Sequence, residues 1–409
     1  VEAVKVLLFD EPLANLDPAA GRTTIELIDM VHERTGAAVL IIEHRLEDVL
    51  WRRMDRIILM DEGAIVADLP TEKLLAGEQL LQHGIREPLY LTALRYAGVE
   101  ITEALHPEHV EKLALTREDK EKVRSWYHTQ KAGIRGEQHG QELLRITDLK
   151  FGYTPEKVTL QDVNFTIHKG EMVSIVGRNG AGKSTLAKLI CGFEQPVSGS
   201  ILMEGRDLKG DTIKERAARI GYVMQNPNQM ISKPMIWDEV EMALVLSGMP
   251  KEERTARVEE TLRICGLYPF RNWPVSALSF GQKKRVTIAS ILVQRPQISI
   301  LDEPTAGQDY HHYTEIMDFL KELNGKGYTI LMITHDMHLM LEYTRRAIVF
   351  SEGRMLADTT AAHVLNDPQL VQEANLKETS LYTLSLACGI EEPQVFTECF
   401  IGYEQKEVR

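Results

Sequence analysis

Short apolar runs alternate along the chain with segments that have helical spacing. Apolar runs at 6–9 and 39–42 predict strands buried on both faces, and segment 23–34 between them places apolar residues on one helical face. The same order returns at 298–301, 313–323 and 329–333. Strand, helix and strand in succession are typical of a mainly parallel sheet, so the pattern predicts an α/β fold.

Polar residues that follow these runs are repeated too. An Asp-Glu-Pro triplet closes the first run of each set, and a His follows the last run of each set. The repeated positions are Asp10/Asp302, Glu11/Glu303, Asp17/Asp309, His44/His335 and Gly63/Gly353. Their separation stays between 290 and 292 residues, which indicates an internal duplication.

A glycine-rich loop lies upstream of the second copy. It reads Gly177, Arg178, Asn179, Gly180, Ala181, Gly182, Lys183, Ser184, and Thr185 begins the predicted helix. Glycines let backbone N–H groups face phosphate oxygens, and the following helix adds its positive end. Lys183 would meet the outer phosphates, and Ser184 would offer its hydroxyl to Mg²⁺. The loop therefore predicts a nucleoside triphosphate site, with a glycine-rich turn as the alternative.

Two carboxylates at the end of an apolar strand are costly without a cation or hydrogen-bond partners. We therefore expect Asp302 to hold Mg²⁺ and Glu303 to polarise an attacking water. His335 would hydrogen-bond the terminal phosphate as a neutral imidazole, although a lone His is more often structural. Gln225 ends the apolar run 220–224, where its amide would meet Mg²⁺ and the water. An ordinary loop Gln is the alternative. Glu11 and His44 are the matching catalytic candidates of the first copy.

A second anion site is predicted ahead of another helix. The segment reads Leu278, Ser279, Phe280, Gly281, Gln282, and three basic residues follow it. A Ser and a Gly before a helix suit an anion, although an ordinary helix cap has the same composition.

Composition limits the other possibilities. The net charge of −13 argues against nucleic acid as the main ligand. The four cysteines, Cys191, Cys265, Cys388 and Cys399, lack metal-ligand spacing and suit a reducing cytoplasm. No apolar run approaches the roughly 20 residues that cross a bilayer. We expect any membrane role to act through a partner. The initial Val1 fits a fragment, and removal of a Met by processing is the alternative.

Taken together and in this order, the motifs resemble those of the ATP-binding-cassette (ABC) ATPases. By this resemblance, 177–184 is the Walker A loop, Gln225 the Q-loop, 278–282 the signature, 298–303 the Walker B strand, Asp309 the D-loop aspartate and His335 the switch histidine. Tyr153 lies where the family places an aromatic residue against adenine. The resemblance implies ATP hydrolysis with Mg²⁺, in which Ser279, Gly281 and Gln282 contact a nucleotide held by the opposing cassette.

Finer features resemble the cassettes of energy-coupling-factor importers. Phe280 stands where the family usually has Gly, and the second D-loop lacks the Leu that precedes Asp17 in the first. Segment 43–48 resembles duplicated ATPases assigned to thiamine or its hydroxymethylpyrimidine (HMP) precursor, and cobalt or nickel importers are the other group. The resemblance implies two integral-membrane partners, an energy-coupling protein and a substrate-binding protein. Segment 226–249 would meet the membrane partner at the cytoplasmic face.

We therefore expect two cassettes in tandem, the first truncated. Residues 1–104 would be the C-terminal part of the first cassette, 105–141 a tail and linker, 142–375 a complete second cassette, and 376–409 an extension. Family cassettes pair head to tail, so this chain alone would bind ATP weakly through its second copy and hydrolyse little of it. Pairing between second copies of two chains would restore a full site.

The sequence leaves two other functions as alternatives. A soluble tandem cassette that acts on ribosomes or nucleic acid would need basic arms, whereas residues 105–142 are nearly charge-balanced. A regulatory cassette would bind ATP without hydrolysis, which intact Glu303 and His335 argue against.

Overall fold

The computed structural model describes residues 4–13, 16–131, 140–154, 157–305 and 310–407. Its strands are β1 Val6–Asp10, β2 Ala38–Ile42, β3 Arg56–Asp61, β4 Ala64–Pro70, β5 Glu142–Thr154, β6 Lys157–His168, β7 Met172–Gly177, β8 Ser198–Met203, β9 Arg206–Asp207, β10 Ile220–Val223, β11 Ile298–Asp302, β12 Thr329–Ile333, β13 Arg346–Ser351 and β14 Arg354–Thr360.

The α-helices are α1 Pro18–Thr35, α2 Leu46–Val49, α3 Thr71–Ala76, α4 Gln79–Gln82, α5 Leu89–Tyr96, α6 Arg117–Lys131, α7 Lys183–Cys191, α8 Ile213–Ala217, α9 Ile236–Leu246, α10 Lys251–Ile264, α11 Phe280–Leu292, α12 Tyr310–Gly325, α13 Met337–Tyr343, α14 Ala361–Asn366, α15 Pro368–Glu373, α16 Ser380–Ala387 and α17 Pro393–Glu407. Short 3₁₀ turns occur at Glu103–Leu105, Val110–Lys112, Pro227–Gln229, Tyr268–Phe270 and Val275–Ala277. Within the described ranges, no helix has the length and apolarity that a membrane crossing requires.

The chain is divided into two compact units. The first comprises residues 1–137, 309–311 and 361–409, and the second comprises 138–308 and 312–360. The C-terminal segment therefore belongs to the same unit as the N-terminal part of the chain.

The second unit is built on a six-stranded sheet in the order β10-β11-β12-β7-β13-β14. All neighbouring pairs are parallel except β13 with β14. Strands β11 and β12 are buried at every residue, as expected when both faces of a parallel sheet are covered. Because parallel strands end at a common edge, the residues after β7, β10, β11 and β12 lie along one edge of this sheet.

A second, antiparallel sheet of the same unit has the order β6-β5-β8-β9. Its inward side chains join those of α7 and the parallel sheet in one hydrophobic core, which includes Ile146, Leu186, Ile190 and Ile300. Helix α7 is thus fixed between two sheets, and so is the loop that precedes it.

In the first unit, β1 and β2 form a parallel pair. Asp17 caps α1 by accepting a hydrogen bond from the N–H of Ala20 at 2.9 Å, and Pro18 occupies the first turn, where its missing N–H costs nothing. This cap explains why the helix begins five residues before the predicted segment 23–34. A small core of Leu13, Ile25, Ile28 and Val49 joins α1 to α2 and to the segment after β1.

Helices α5, α6 and α17 of the first unit share an aromatic cluster. Tyr96 of α5 lies 5.6 Å from Phe400 and 4.7 Å from Tyr403 of α17, between ring centroids. Trp126 of α6 packs edge-on against Tyr403 and Phe396, which both belong to α17. Helix α6 occupies a region that the sequence pattern suggested was a tail and linker. Its apolar residues are few, and they become buried against a helix some 270 residues away in sequence.

The backbone repeats between the two units. The hairpin β3–β4 has its register shift between Leu59 and Met60, and the hairpin β13–β14 has the same irregularity between Val349 and Phe350. Their turns match as well, since Glu62 and Gly63 have φ of 45° and 78° and Glu352 and Gly353 have φ of 48° and 77°.

The burial of the strands differs between the two units. Leu8 is 62% exposed in β1, whereas the matching Ile300 is completely buried in β11. Val6, Leu40 and Ile42 are also 48 to 62% exposed. One face of the β1–β2 pair is therefore apolar and uncovered.

This contrast predicts unequal costs for the same kind of truncation. Ile300→Ala should destabilise the second unit by about 2–5 kcal/mol, because it leaves a cavity in a closed core. Leu8→Ala should cost less than about 1 kcal/mol, because its side chain already meets solvent. Hydrogen exchange of the β11 and β1 amides would measure each cost within its own unit. Equal losses of protection in the two variants would contradict the exposure of β1.

Candidate nucleotide site

Close backbone packing requires glycine at two points of the loop between β7 and α7. Gly177 has φ of 139°, and a Cβ placed there would lie 1.9 Å from the carbonyl oxygen of Phe350. Gly182 has φ of 97°, and its Cβ would lie 2.6 Å from a side-chain carbon of Leu160. A larger residue at either position would displace β7 or the loop, so the backbone path of the loop requires glycine at both.

Lys183 crosses the inside of this loop. It is the first residue of α7, and its Nζ donates to the carbonyl oxygens of Gly177 at 2.6 Å and Arg178 at 3.0 Å. The side chain is almost fully buried, whereas Ser184 beside it is exposed. Lys183 therefore holds a positive charge at the centre of the loop, and the Ser184 hydroxyl remains open to solvent.

The rest of the predicted loop surrounds these two residues. Asn179 and Gly180 are exposed and Ala181 is buried. Arg178 pairs with Glu352 at 3.1 Å. Tyr153, 52% exposed, brings its hydroxyl to 3.4 Å from that of Thr185, so an exposed aromatic ring lies beside the start of α7.

Asp302 and Glu303 end β11 in different environments. Asp302 is buried, and its Oδ2 accepts a hydrogen bond from the hydroxyl of Tyr222 at 3.0 Å. Burial of the phenol, and then the charge of Asp302, raise the pKa of Tyr222, so the phenol stays protonated and keeps donating. One carboxylate oxygen of Asp302 is thus engaged by Tyr222.

The structure brings Glu303 and His335 together. His335 Nδ1 lies 2.7 Å from Oε1 of Glu303, and the hydroxyl of Thr334 lies 3.5 Å from Oε2. Glu303 has φ of 48°, a left-handed conformation that is uncommon outside glycine, and its N–H is held by the carbonyl of Ile333 at 2.9 Å. The pairing of β11 with β12 therefore brings the carboxylate of Glu303 and the imidazole of His335 together.

Lys284 belongs to this site, although the motifs gave it no role beyond a basic helix residue. From α11 its Nζ donates to the carbonyl oxygens of Gln225 at 2.7 Å, Met224 at 2.9 Å and Glu303 at 3.4 Å. The side chain is 1% exposed. Burial lowers the pKa of Lys284 to about 8, against the attraction of the Asp302 and Glu303 carboxylates. A run of basic residues gave no signal that one of them points inward.

The predicted anion site begins α11. Ser279 caps the helix by accepting from the N–H of Gln282, and Gln282 accepts in return from the N–H of Ser279. Ser279 and Phe280 are exposed, and Gly281 is buried. The cap geometry leaves the Ser279 side chain at the surface, where a second molecule can reach it.

The first copy has the same backbone arrangement after its two strands, but its histidine lies farther from the carboxylate. His44 Nδ1 lies 3.9 Å from Oε1 of Glu11, whose φ is 43° and whose N–H bonds the carbonyl of Ile42 at 2.9 Å. Glu43 replaces the threonine of the second copy and accepts from the N–H groups of Leu13, His44 and Arg45. Asp10 is exposed, and Asp309, the D-loop candidate of the second copy, lies outside the described residues.

The oxygen donors present suit Mg²⁺. Ser184 supplies an exposed hydroxyl, and Asp302 keeps a carboxylate oxygen that Tyr222 does not engage. In the described part of the chain, no three His, Cys, Asp or Glu side chains cluster as a metal cage. Mg²⁺ needs no such cage beside a nucleotide, because it is usually held by one or two protein oxygens and by phosphates.

Two family models match the chain. One, described as ABC transporter, matches residues 160–306, and the other, described as ATP-binding cassette cobalt transporter, matches residues 78–151. Among relatives, a putative ABC transporter ATP-binding protein of Enterococcus faecalis is 59% identical over 409 residues, which is 99% of this chain and 71% of the relative. The chain belongs to the ABC transporter ATP-binding proteins. A further member, from Clostridium perfringens, is 56% identical over 99% of this chain and 71% of its own length.

Solved structures agree with this assignment. CbiO1 from Clostridium perfringens, described as part of the ABC transporter complex CbiONQ, aligns with a TM-score of 0.53 and 33% identity over 57% of this chain and 95% of its own. An ATP-binding cassette in its ADP conformation aligns with a TM-score of 0.52 and 26% identity over 57% of this chain and 98% of its own. The expected P-loop ABC fold is therefore confirmed. ABC ATP-binding proteins are ATPases whose hydrolysis is coupled to transport.

Lys183→Ala should weaken ATP binding by about 10- to 100-fold, because charge-assisted hydrogen bonds contribute about 1.5–3 kcal/mol each. Lys188→Ala, in the last turn of the same helix, is the matched control and should bind as the parent does. Calorimetric titration with ATP would measure both. Undiminished binding by Lys183→Ala would remove this lysine from the site.

Proposed function

We propose that the chain is the ATP-hydrolysing subunit of an importer of the energy-coupling-factor type. The observation that carries the proposal is the contact between Glu303 and His335 at the edge of the sheet where β7 leads into the phosphate loop. It supplies a base beside the position where a terminal phosphate would lie when Lys183 and the loop amides hold the nucleotide.

In this mechanism Glu303 accepts a proton from the attacking water. Its two oxygens face different partners, His335 on Oε1 and Thr334 on Oε2, so the carboxylate is oriented before substrate arrives. Gln225 follows β10 on the same edge and would sense the nucleotide with its amide. Positioning and charge neutralisation then do most of the work, as in other phosphoryl transfers.

The contact also constrains the protons of His335. A carboxylate only accepts, so Nδ1 carries the hydrogen of that bond. In the neutral ring Nε2 then has a lone pair, which suits a hydrogen bond from the water. Donation from Nε2 to the phosphate requires the imidazolium, so the neutral imidazole expected from the sequence could not serve both partners as a donor.

Magnesium completes the proposed site. Ser184 and Asp302 would hold Mg²⁺ together with phosphate oxygens, and Gln225 would reach it through its amide. When bound, the ion neutralises charge on the phosphates.

We also propose that the first unit carries the C-terminal part of the first of two tandem cassettes. The repeated turns at Glu11 and Glu303, the shared hairpin irregularity and the constant separation of the motifs support this. The exposed apolar face of β1 and β2 supports it too, because the equivalent face of β11 and β12 is covered by a nucleotide-binding core. Residues 1–104 would form this part, 105–141 its tail and linker, and 142–375 the complete cassette, with 376–409 as an extension.

Cassette pairing would then complete each site. Ser279, Gly281 and Gln282 would meet the nucleotide of an opposing cassette, and Asp309 is proposed as a further nucleotide-binding residue. The 409-residue chain alone would bind ATP and hydrolyse little of it, unless second units of two chains pair.

The membrane partners are proposed from the family and from one surface. The segment that follows Gln225 leads into α9, whose end exposes Val245 at 48% and Leu246 at 73%. Glu239 of this helix accepts from the N–H groups of Ser232 and Lys233, which fixes the approach to it. We propose that this surface meets an energy-coupling membrane protein at the cytoplasmic face, beside a substrate-binding membrane protein. The cobalt-transporter description of residues 78–151 favours a metal ion over thiamine or HMP as cargo.

Glu303→Gln should bind ATP with an affinity within about threefold of the parent, while kcat falls by about 10²–10⁴, since a general base typically contributes that much. Glu322→Gln is the matched control, because Glu322 pairs with Lys326 on a surface helix. Phosphate release at saturating ATP in the intact transporter would measure kcat. An unchanged kcat would rule out Glu303 as the base.

Recovery of the chain in membranes with integral partners is the expected result of affinity purification from cells. Identification of those partners by mass spectrometry, with uptake of Co²⁺ and of thiamine measured in their presence, would separate the two cargo classes. Salt-sensitive co-sedimentation with ribosomes in place of membrane recovery would contradict the importer proposal.

A further inference from the structure

Lys284 connects the signature helix with the catalytic edge of its own cassette. It lies on α11, five residues after Ser279, the residue that caps this helix. Its ammonium reaches the ends of two strands, β10 through Met224 and Gln225, and β11 through Glu303. The helix that presents Ser279 is therefore bonded to the backbone that carries Gln225 and Glu303.

The contact made by Lys284 is buried and fully hydrogen-bonded. Lys284 is 1% exposed, and each of its three donors has a carbonyl acceptor within 3.4 Å. Burying an ammonium is unfavourable unless several such partners compensate. A neutral apolar side chain would fill the same space without that cost, so packing alone does not explain a lysine here.

The acceptors are backbone atoms of residues with proposed catalytic roles. Glu303 is held in a left-handed conformation, φ 48°, that few non-glycine residues adopt. A hydrogen bond to its carbonyl oxygen acts on the same peptide whose conformation sets the direction of the Glu303 side chain. Movement of α11 would thus be transmitted to the orientation of the carboxylate and to the backbone of Gln225.

We propose that Lys284 is a positioning residue, which couples the placement of the signature helix to the alignment of Glu303 and Gln225 within the same cassette. A nucleotide engaged by Ser279 on one side of the cassette would then influence hydrolysis at the loop on the other side. The inference rests on the proposed role of Glu303 as base.

The test compares Lys284→Met, which keeps most of the volume and removes the donors, with Val286→Ala. Val286 is completely buried on the same helix, so its truncation destabilises α11 through packing. In the intact transporter, kcat of Lys284→Met should fall at least about tenfold, since small misplacements of catalytic groups cost up to about 100-fold. Its KM and its Kd for ATP should stay within about threefold of the parent, and Val286→Ala should keep kcat within about twofold at a comparable loss of Tm.

The proposal is overturned if Lys284→Met keeps the parent kcat, or if kcat follows Tm equally in both variants. Lys284→Gln has a neutral amide that is one atom shorter and has two donors for three carbonyl oxygens, so it should lose part of the contact and give an intermediate kcat. It decides the matter if Lys284→Met does not fold. Parental kcat in Lys284→Gln together with parental Tm would then overturn the proposal. Failure of Glu303→Gln to slow hydrolysis would overturn the base itself, which is a separate result.

Discussion

The parallel, in-register pairing of β11 with β12 is the constraint on which the site depends. Asp302 lies opposite Ile333, so the residues that follow the two strands emerge side by side. Glu303 closes the pairing through its N–H and turns into a left-handed conformation, and His335 then meets its carboxylate. Both strands are completely buried, and the side chains of His335 and Glu303 that follow them are only 11% and 12% exposed, which strengthens the interaction between these two groups.

Around that edge the chain balances buried charge with backbone dipoles. Lys183 and Lys284 are both buried, and both donate to carbonyl oxygens, of the phosphate loop and of the strand ends respectively. Lys183 can exchange its two carbonyls for phosphate oxygens, since a phosphate is the stronger acceptor. Lys284 instead donates to backbone carbonyl oxygens at the ends of β10 and β11. Lys183 is therefore placed to bind the nucleotide, whereas Lys284 holds the backbone at the ends of the strands.

Much of this could be predicted from the sequence, because its determinants are local. Glycine spacing, the acidic strand ends and the repeated histidines each occupy a few adjacent residues, and the strands and helices around them were predicted with small errors at their ends. The inward direction of Lys284 and the packing of α6 against α17 depend on contacts between residues distant in sequence, which no single-segment pattern reports. Helix α6 has few apolar residues, and Trp126 gains its neighbours only when the C-terminal helices return.

Comparison of the two copies shows which features of the acidic turn depend only on its neighbouring strands. Glu11 has nearly the same positive φ as Glu303, and the same bond to the neighbouring strand, although β1 is largely exposed and β11 is buried. The turn is therefore set by the strand pair itself and does not need a surrounding core. The distance from the histidine to the carboxylate does differ, at 3.9 Å in the first copy and 2.7 Å in the second. Strand pairing sets the backbone of the acidic turn, whereas the side chains around it differ, since Glu43 of the first copy stands where the second copy has Thr334.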